Sequence, residues 1–524
     1  MKRRLPIGIQ DFTKIRNGGY VYVDKTATIH RLISGFEGAF FLSRPRRFGK
    51  SLLCSTLAAI FEGQRELFGE IAGQRELSIE DLDWEWKKHP VIRLDLNPGN
   101  YGDGISVLHN NLNRDMEFCA EKYGVSLDGK SVADRFIRLI YTLQKQFNQG
   151  VVVIIDEYDK PLLSTMEDGE LHIAMRNELK GFYGALKSSD KYLRFVFLTG
   201  VTKFSHVSVF SDLNHLVDLS LDPRYADICG ITQQEVEENF DPEITEILEN
   251  TEKNRESYLG ELKRFYNGYR FSRKPLTVFN PFGLLNHFNN NGEFLPYWYD
   301  TGTPAFLVNL IIKQKIRILD LHDLHVRYED FSKYDIATMK AEPLLYQSGY
   351  LTIADYDEER KRFTLDYPNE EVRSCFARSL LKQYLQAPED TEHALSNRLP
   401  DALYDGDIAG AIDILQRFFT SIPYDIIKEK ENYYQTAVHL IFTMMGFNCR
   451  SEVRIAAGRI DTLVETEHFV YCFEFKLDGK AEEALEQIND KEYLLPWSGI
   501  GKRLFKVGVV FDSKKRTIGD WKAE

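Results

Sequence analysis

Two groups of residues in this chain have the types and spacing of reactive sites. The first is in "SRPRRFGKSLL" (43–53), which follows the apolar run "AFFL" (39–42) and opens the amphipathic stretch "KSLLCSTLAAIFEG". A loop placed between a strand and a helix can wrap phosphates with backbone N–H groups, with a Lys as counter-charge and a Ser hydroxyl for magnesium. Lys50 and Ser51 fit those two roles after Gly49, with Arg47 and Phe48 completing the loop. Arg44 stands where the first glycine of G-x-x-x-x-G-K-[ST] belongs. Further on, "VVVIIDEYD" ends a continuous apolar run in Asp156 and Glu157. In a phosphate-transfer site the first carboxylate serves magnesium and the second polarises the attacking water. Thr199, in "VFLTG", closes another apolar run, at the strand end where ligands sit in open α/β sheets.

The second group is Asp461, Glu474 and Lys476, in "GRIDTLVETEHFVYCFEFKL". Residues two apart in a strand share a face, so Glu474 and Lys476 project together while Phe473 and Phe475 pack behind. A hairpin can bring Asp461 beside Glu474. Two carboxylates make a hard oxygen site for magnesium, and a Lys alongside can stabilise or help deprotonate an attacking water. Glu-x-Lys alone carries little weight, because Glu85/Lys87, Glu178/Lys180 and Glu261/Lys263 share it. The apolar strand around Glu474 sets it apart.

These residues need elements to hold them. Up to about residue 282 the chain alternates apolar strand runs, "AFFL", "VIRLDL", "VVVIID", "RFVFLTG" and "LVDLSL", with helical stretches such as "SVADRFIRLIYTLQKQF". That is the pattern of a mostly parallel sheet covered on both faces. Residues 283–425 read as mainly helical, except for "GYLTIADYDEERKRFTLDYP", a hairpin after a helix, which suggests a winged-helix-like module. From 426 a new α/β unit begins with the helix "YYQTAVHLIFTMMG", followed by strands "RIDTLVET" and "FVYCFEFKL", the helix "AEEALEQINDKEYLL" and the strand "KVGVVFD".

At 524 residues the chain is long enough for about three domains. Its net charge of −13 argues against a surface coated for nonspecific DNA binding, yet leaves room for a local basic cleft. Two basic clusters stand out, "SRPRRFGK" and "GKRLF…DSKKR" (501–505 and 512–516). No apolar run reaches membrane-spanning length and the N-terminal stretch lacks a secretion signal, so a cytoplasmic location is expected. Six cysteines stand singly, without C-x-x-C spacing, and read as buried reduced thiols.

The segments "LPIGIQDF", "YVYVDKT", "SRPRRFGKSLL", "VVVIIDEYDKPL", "LTGVTKFS", "YNGYRF" and "VFNPFGLL" resemble those of the bacterial AAA-ATPase-like family, whose members carry a C-terminal PD-(D/E)XK nuclease domain. The resemblance implies a P-loop sheet of the additional-strand type and a restriction-endonuclease-like α/β domain, with ATP and magnesium as cofactors. It makes Arg44 a usual feature of the loop. It carries core roles to Asp461, Glu474 and Lys476 and supporting roles to Gln487 and Glu431, with Glu452 as another acidic candidate. Gln435 stands where relatives often have histidine. Arg224 and Arg270 are the arginine-finger candidates, each read more readily as structural. Three functions follow: a nuclease cutting nucleic acid, expected to be DNA, under ATP control; a nucleotide switch whose nuclease-like domain binds without cutting; and a scaffold without turnover.

Overall fold

The computed structural model describes residues 3–35, 38–203, 216–298, 305–331, 340–385, 389–422 and 430–524. The chain divides into two compact units, Met1–Thr301 with Asp323–Asn369, and Gly302–His322 with Glu370–Glu524.

The first unit is built on β1 (Gly38–Ser43), β2 (Val91–Asp95), β3 (Val151–Asp156), β4 (Leu193–Gly200) and β5 (Leu216–Asp218). They lie in the order β2-β3-β4-β1-β5, and every neighbouring pair is parallel. Continuous apolar runs suit such a sheet because both faces are covered, and Val151–Ile155 are at most 1% exposed. The strand β4 separates β1 from β3, the additional-strand arrangement the resemblance implies. The registers Asp95↔Asp156, Ile155↔Leu198 and Leu42↔Thr199 align the C-terminal strand ends, so the loop after β1, Asp156 and Thr199 share one edge.

The helix Lys50–Phe61 differs from its amphipathic reading, since every residue from Leu53 to Phe61 is buried. One side packs on the sheet, and the other is covered by the helix Phe12–Asn17 and the turn Arg65–Leu67. By contrast Val132–Phe147 is a one-sided helix as read, burying Phe136, Leu139, Ile140 and Leu143, with Ser131 as its N-cap. Phe136 stacks on Phe182 of the helix Gly169–Ser188, with ring centroids 4.7 Å apart.

A second, antiparallel sheet belongs to the same unit. Its strands are β6 (Leu324–Arg327), β7 (Thr352–Asp357) and β8 (Arg362–Asp366), in the order β6-β8-β7. The hairpin β7–β8 follows the helix Ala341–Ser348, as expected from its alternating runs. Four residues, two of them polar, "LHVR", are too few to announce β6 in the sequence.

In the second unit β9 (Asn448–Ile455), β10 (Gly458–Glu465), β11 (Phe469–Leu477), β12 (Arg503–Asp512) and β13 (Thr517–Ala523) form a mixed sheet in the order β13-β12-β11-β10-β9. The pair β11–β12 is parallel and needs a crossover, supplied by the helix Ala481–Asp490. The helix Glu431–Met444 packs against β9, β10 and β11. Phe473 and Phe475 lie parallel on one face of β11, 6.3 Å between centroids, and leave the other face to Glu474 and Lys476.

All six cysteines are free and buried, and burial pushes the Cys119 and Cys449 thiols up to about 12. Among the described residues no helix is long and apolar enough to cross a membrane.

Candidate functional site

The loop after β1 is held by the segments that surround it. Gly49 at φ 90° and Arg47 at φ 65° take left-handed backbone, which lets the chain turn from strand into the helix at Lys50. Phe48 is turned into the protein, edge-on to Tyr269 and Phe271 at 4.7 and 5.4 Å. The Arg47 guanidinium lies 3.8 Å from the centre of the Phe282 ring, and the Trp298 indole donates to the Arg46 carbonyl at 3.1 Å. The segments "YNGYRF" and "VFNPFGLL" thus grip the loop from outside.

Arg44 does not point toward the phosphate cradle. It is 1% exposed, donates to the carbonyls of Ser43, Ser220 and Tyr225 at 2.8, 2.9 and 3.0 Å, and lies over the Phe271 ring. The residue that replaces the first glycine is a staple between the loop and the chain after β5.

Lys50 Nζ donates to the Pro45 carbonyl at 3.1 Å and lies 3.3 Å from Glu157. The Ser51 hydroxyl hydrogen-bonds Asp156, whose carboxyl is raised to about 6 by burial and then by Glu157. Glu157 sits at φ 50°, a strained backbone for a residue other than glycine. The Thr199 hydroxyl is fully buried and donates to Leu42 O at 2.8 Å, spanning β4 and β1. Next to the loop an apolar cavity of about 100 Å³ is lined by Val21, Val23, Phe48, Leu52, Ile228 and Ile231, which gives "YVYVDKT" its place. The donor set, hydroxyl–carboxylate pair and adjoining apolar cavity fit a nucleoside triphosphate with magnesium.

Asp159 is the residue here that sequence reasoning did not single out, although it lies inside the quoted "DEYD". Fully buried, it accepts from the backbone N–H groups of Val201 and Thr202 and from the Thr202 hydroxyl. A Cβ at Gly200 would stand 2.2 Å from its Oδ1, so only glycine fits. Of "LTGVTKFS", Phe204 and Ser205 lie outside the described residues. Both arginine-finger candidates are engaged within their own unit: Arg270 donates to the carbonyls of Ser272, Arg273, Lys274 and Ala354, and Arg224 pairs with Asp222 at 2.6 Å.

In the second unit Asp461, Glu474 and Lys476 converge with Gln487. Thr462 pairs with Phe473, so Asp461 and Glu474 are one step further along the same two strands, and Asp461 Oδ2 accepts from Phe475 N at 3.0 Å. Lys476 Nζ donates to Glu474 Oε1 at 3.0 Å and to Gln487 Oε1 at 2.7 Å, while Gln487 Nε2 also donates to Glu474 Oε1. Glu474 is 2% exposed, and its Oε2 is buried with no hydrogen-bond partner. Burial raises the Asp461 carboxyl to about 6. Glu474 rises to about 7, first by burial and then by Asp461, with Glu431 adding to both. Gln435 Nε2 reaches Glu452 Oε1 at 3.2 Å and the Asp461 carbonyl at 3.0 Å.

Among the described residues no three His, Cys, Asp or Glu side chains are grouped to hold a metal by themselves. Two carboxylates, one with an orphaned buried oxygen, still fit magnesium, which is commonly held by one or two carboxylates and keeps several waters.

Residues 6–210 match the family model described as predicted AAA-ATPase, and residues 429–521 match that of the PD-(D/E)XK nuclease superfamily. Over 529 residues the chain is 36% identical to an uncharacterized protein in the vnfD 5′ region of Azotobacter chroococcum mcd 1, covering 99% of this chain and 98% of that one. The chain belongs to the AAA-ATPase-like family. In this AAA-ATPase-like chain the matched N-terminal span holds Lys50, Ser51, Asp156, Glu157 and Thr199, and the nuclease-superfamily span holds Asp461, Glu474, Lys476 and Gln487. ATPase-like domains usually use nucleotide, and nucleases of this superfamily usually use a divalent metal.

Proposed function

We propose that this chain binds ATP in its first unit and, in its second, cleaves the phosphodiester bonds of DNA with magnesium under nucleotide control. The observation that carries the reading is the buried, unpartnered Glu474 oxygen beside Asp461, with Lys476 and Gln487 holding the other oxygen.

In the first unit the phosphates would meet the left-handed turn Arg47–Gly49 and Lys50. The Lys50 ammonium would exchange Pro45 O and Glu157 for phosphate oxygens, freeing Glu157 to orient a water. Ser51 and Asp156 are the pair to hold magnesium, and Thr199 keeps β4 in register with β1 at the strand ends.

In the second unit Asp461 and Glu474 would hold magnesium. The bound ion supplies charge for the phosphate and lowers the pKa of a water. Lys476 stands beside Glu474 to steady that water or help deprotonate it, and Gln487 fixes both side chains. Nucleotide control requires that ATP favour one arrangement of the protein over another.

The test incubates the full chain with plasmid and linear DNA and with RNA, in magnesium or manganese, with ATP, ADP or neither. Cleavage that a folded Asp461→Asn, Glu474→Gln double variant lacks supports the reading. Equal rates in that variant and the wild type refute it. Binding without cutting by the wild type leaves the nucleotide switch in its place.

A further inference from the structure

Beside the carboxylates of the second unit lies a cationic border that the proposed cleavage chemistry does not use. Arg454 of β9 and Arg459 of β10 are direct cross-strand partners. Like charges opposed in this way repel and cost stability. Arg459 is held by Glu452 at 2.5 Å, and the same carboxylate faces Arg317 at 3.5 Å. Arg454 is exposed and makes no hydrogen bond or ion pair among the described residues. Two guanidinium groups therefore share one carboxylate, and the third, Arg454, has none.

The local backbone is also committed to this arrangement. Glu452 takes φ 57° between the paired residues Ser451 and Val453, a left-handed conformation that a strand residue other than glycine adopts at a cost. Its carboxylate meets Gln435 as well as the arginines. At the hairpin end Gly458 lies against the Tyr493 ring, and the Tyr493 hydroxyl accepts from Gln487 at 3.1 Å. Gln487 is the residue that bonds Glu474 and Lys476. A chain of contacts thus ties the arginine pair to the carboxylates. Along β10, Arg459 shares a face with Asp461, about 6.6 Å away at two residues' rise.

We infer that Arg454 and Arg459 form a clamp for the sugar-phosphate backbone of a nucleic-acid strand, gripping a phosphate next to the one presented to Asp461 and Glu474. Guanidinium groups bind phosphate through two parallel N–H···O bonds, and an anion between the two arginines removes their repulsion. The inference rests on the nuclease reading of the same site, but it concerns binding and is read without cleavage.

The experiment measures binding of fluorescent single-stranded DNA, double-stranded DNA and RNA oligonucleotides to the full chain in EDTA, across roughly 50–200 mM salt. Arg454→Ala removes an exposed side chain without partners, so the fold is expected to persist, and thermal melting checks this. It should weaken binding regardless of base sequence and flatten the plot of log affinity against log salt by about 0.7–0.9, with the Arg454→Ala, Arg459→Ala double variant flattening it about twice as much. Arg454→Lys should keep most of the slope. Lys515→Ala, in the β12–β13 turn, should change neither quantity. An Arg454→Ala protein with wild-type affinity and slope overturns the inference and leaves the nuclease reading standing. An equal loss in Lys515→Ala also overturns it, because the effect would then be one of overall charge. A wild type that binds no nucleic acid overturns both. A slope that flattens as expected in a protein that never cuts upholds the clamp and removes the cleavage.

Discussion

Lys50 and Glu474 are both buried ionisable groups placed for phosphate chemistry, and the protein balances them differently. Lys50 finds its counter-charge in Glu157 and a further acceptor in the Pro45 carbonyl, and the neighbouring Arg44 gives its two terminal nitrogens to three carbonyls, with only its Nε left without a partner. Glu474 has one oxygen engaged and one without a partner, and burial, with the Asp461 carboxyl beside it, raises its pKa. The first region is compensated from within, so a phosphate must compete with contacts already made. The second sets a single ammonium, Lys476, against two buried carboxylates, so a cation relieves an existing cost.

The comparison breaks most visibly at Glu474. Glu474→Gln removes the charge that needs a cation, so cleavage should fall by roughly a thousandfold, the several kcal/mol a catalytic metal contributes, while the melting temperature in EDTA holds or rises. A fall in stability together with activity would show that Glu474 is structural. Arg44→Ala is the opposite case. It strands buried carbonyls and should lower unfolding free energy by roughly 3 kcal/mol, readable by denaturant titration. A neutral outcome would mean that the loop does not depend on its staple.

Lys50→Ala should weaken ATP binding by about tenfold to a hundredfold, the 1.5–3 kcal/mol of a charged hydrogen bond, measured by calorimetry. Equal affinity would remove the loop from nucleotide binding. A smaller effect is read in the second region by pH. Folded Asp461 and Glu474 have carboxyls raised to about 6 and about 7, so they contribute stability at low pH that is lost as pH rises through those values in metal-free buffer. Magnesium should therefore raise the melting temperature by a few degrees more at pH 8 than at pH 5. The same increment in the Asp461→Asn, Glu474→Gln variant would place the responsive groups elsewhere.

The parallel strands were legible because burial on both faces writes an unbroken apolar run, as in Val151–Ile155, and β11 was legible because it too is buried on both faces, its apolar run broken only where Glu474 and Lys476 enter. The strands β6, β9 and β13 escaped notice for physical reasons. "LHVR" is short, "NCRSEVRI" carries charge at the edge of its sheet, and "TIGDWKA" has Gly519 and Asp520 at its centre. The convergence of Asp461, Glu474 and Lys476 could be foreseen from strand geometry alone. The direction of Arg44 could not, since two of its acceptors are backbone carbonyls far along the chain, and a carbonyl leaves no mark in a sequence. The opposition of Arg454 and Arg459 likewise needs the register of β9 on β10.

The strand β9 is the last of its sheet, and its outer edge offers a row of backbone donors and acceptors that another strand could copy. Charged side chains at alternate positions, Arg450, Glu452 and Arg454, make that edge a poor template. Exchanging them for valine would raise the strand propensity of "NCRSEVRI" and remove its charge together, turning the edge into a nucleus for aggregation.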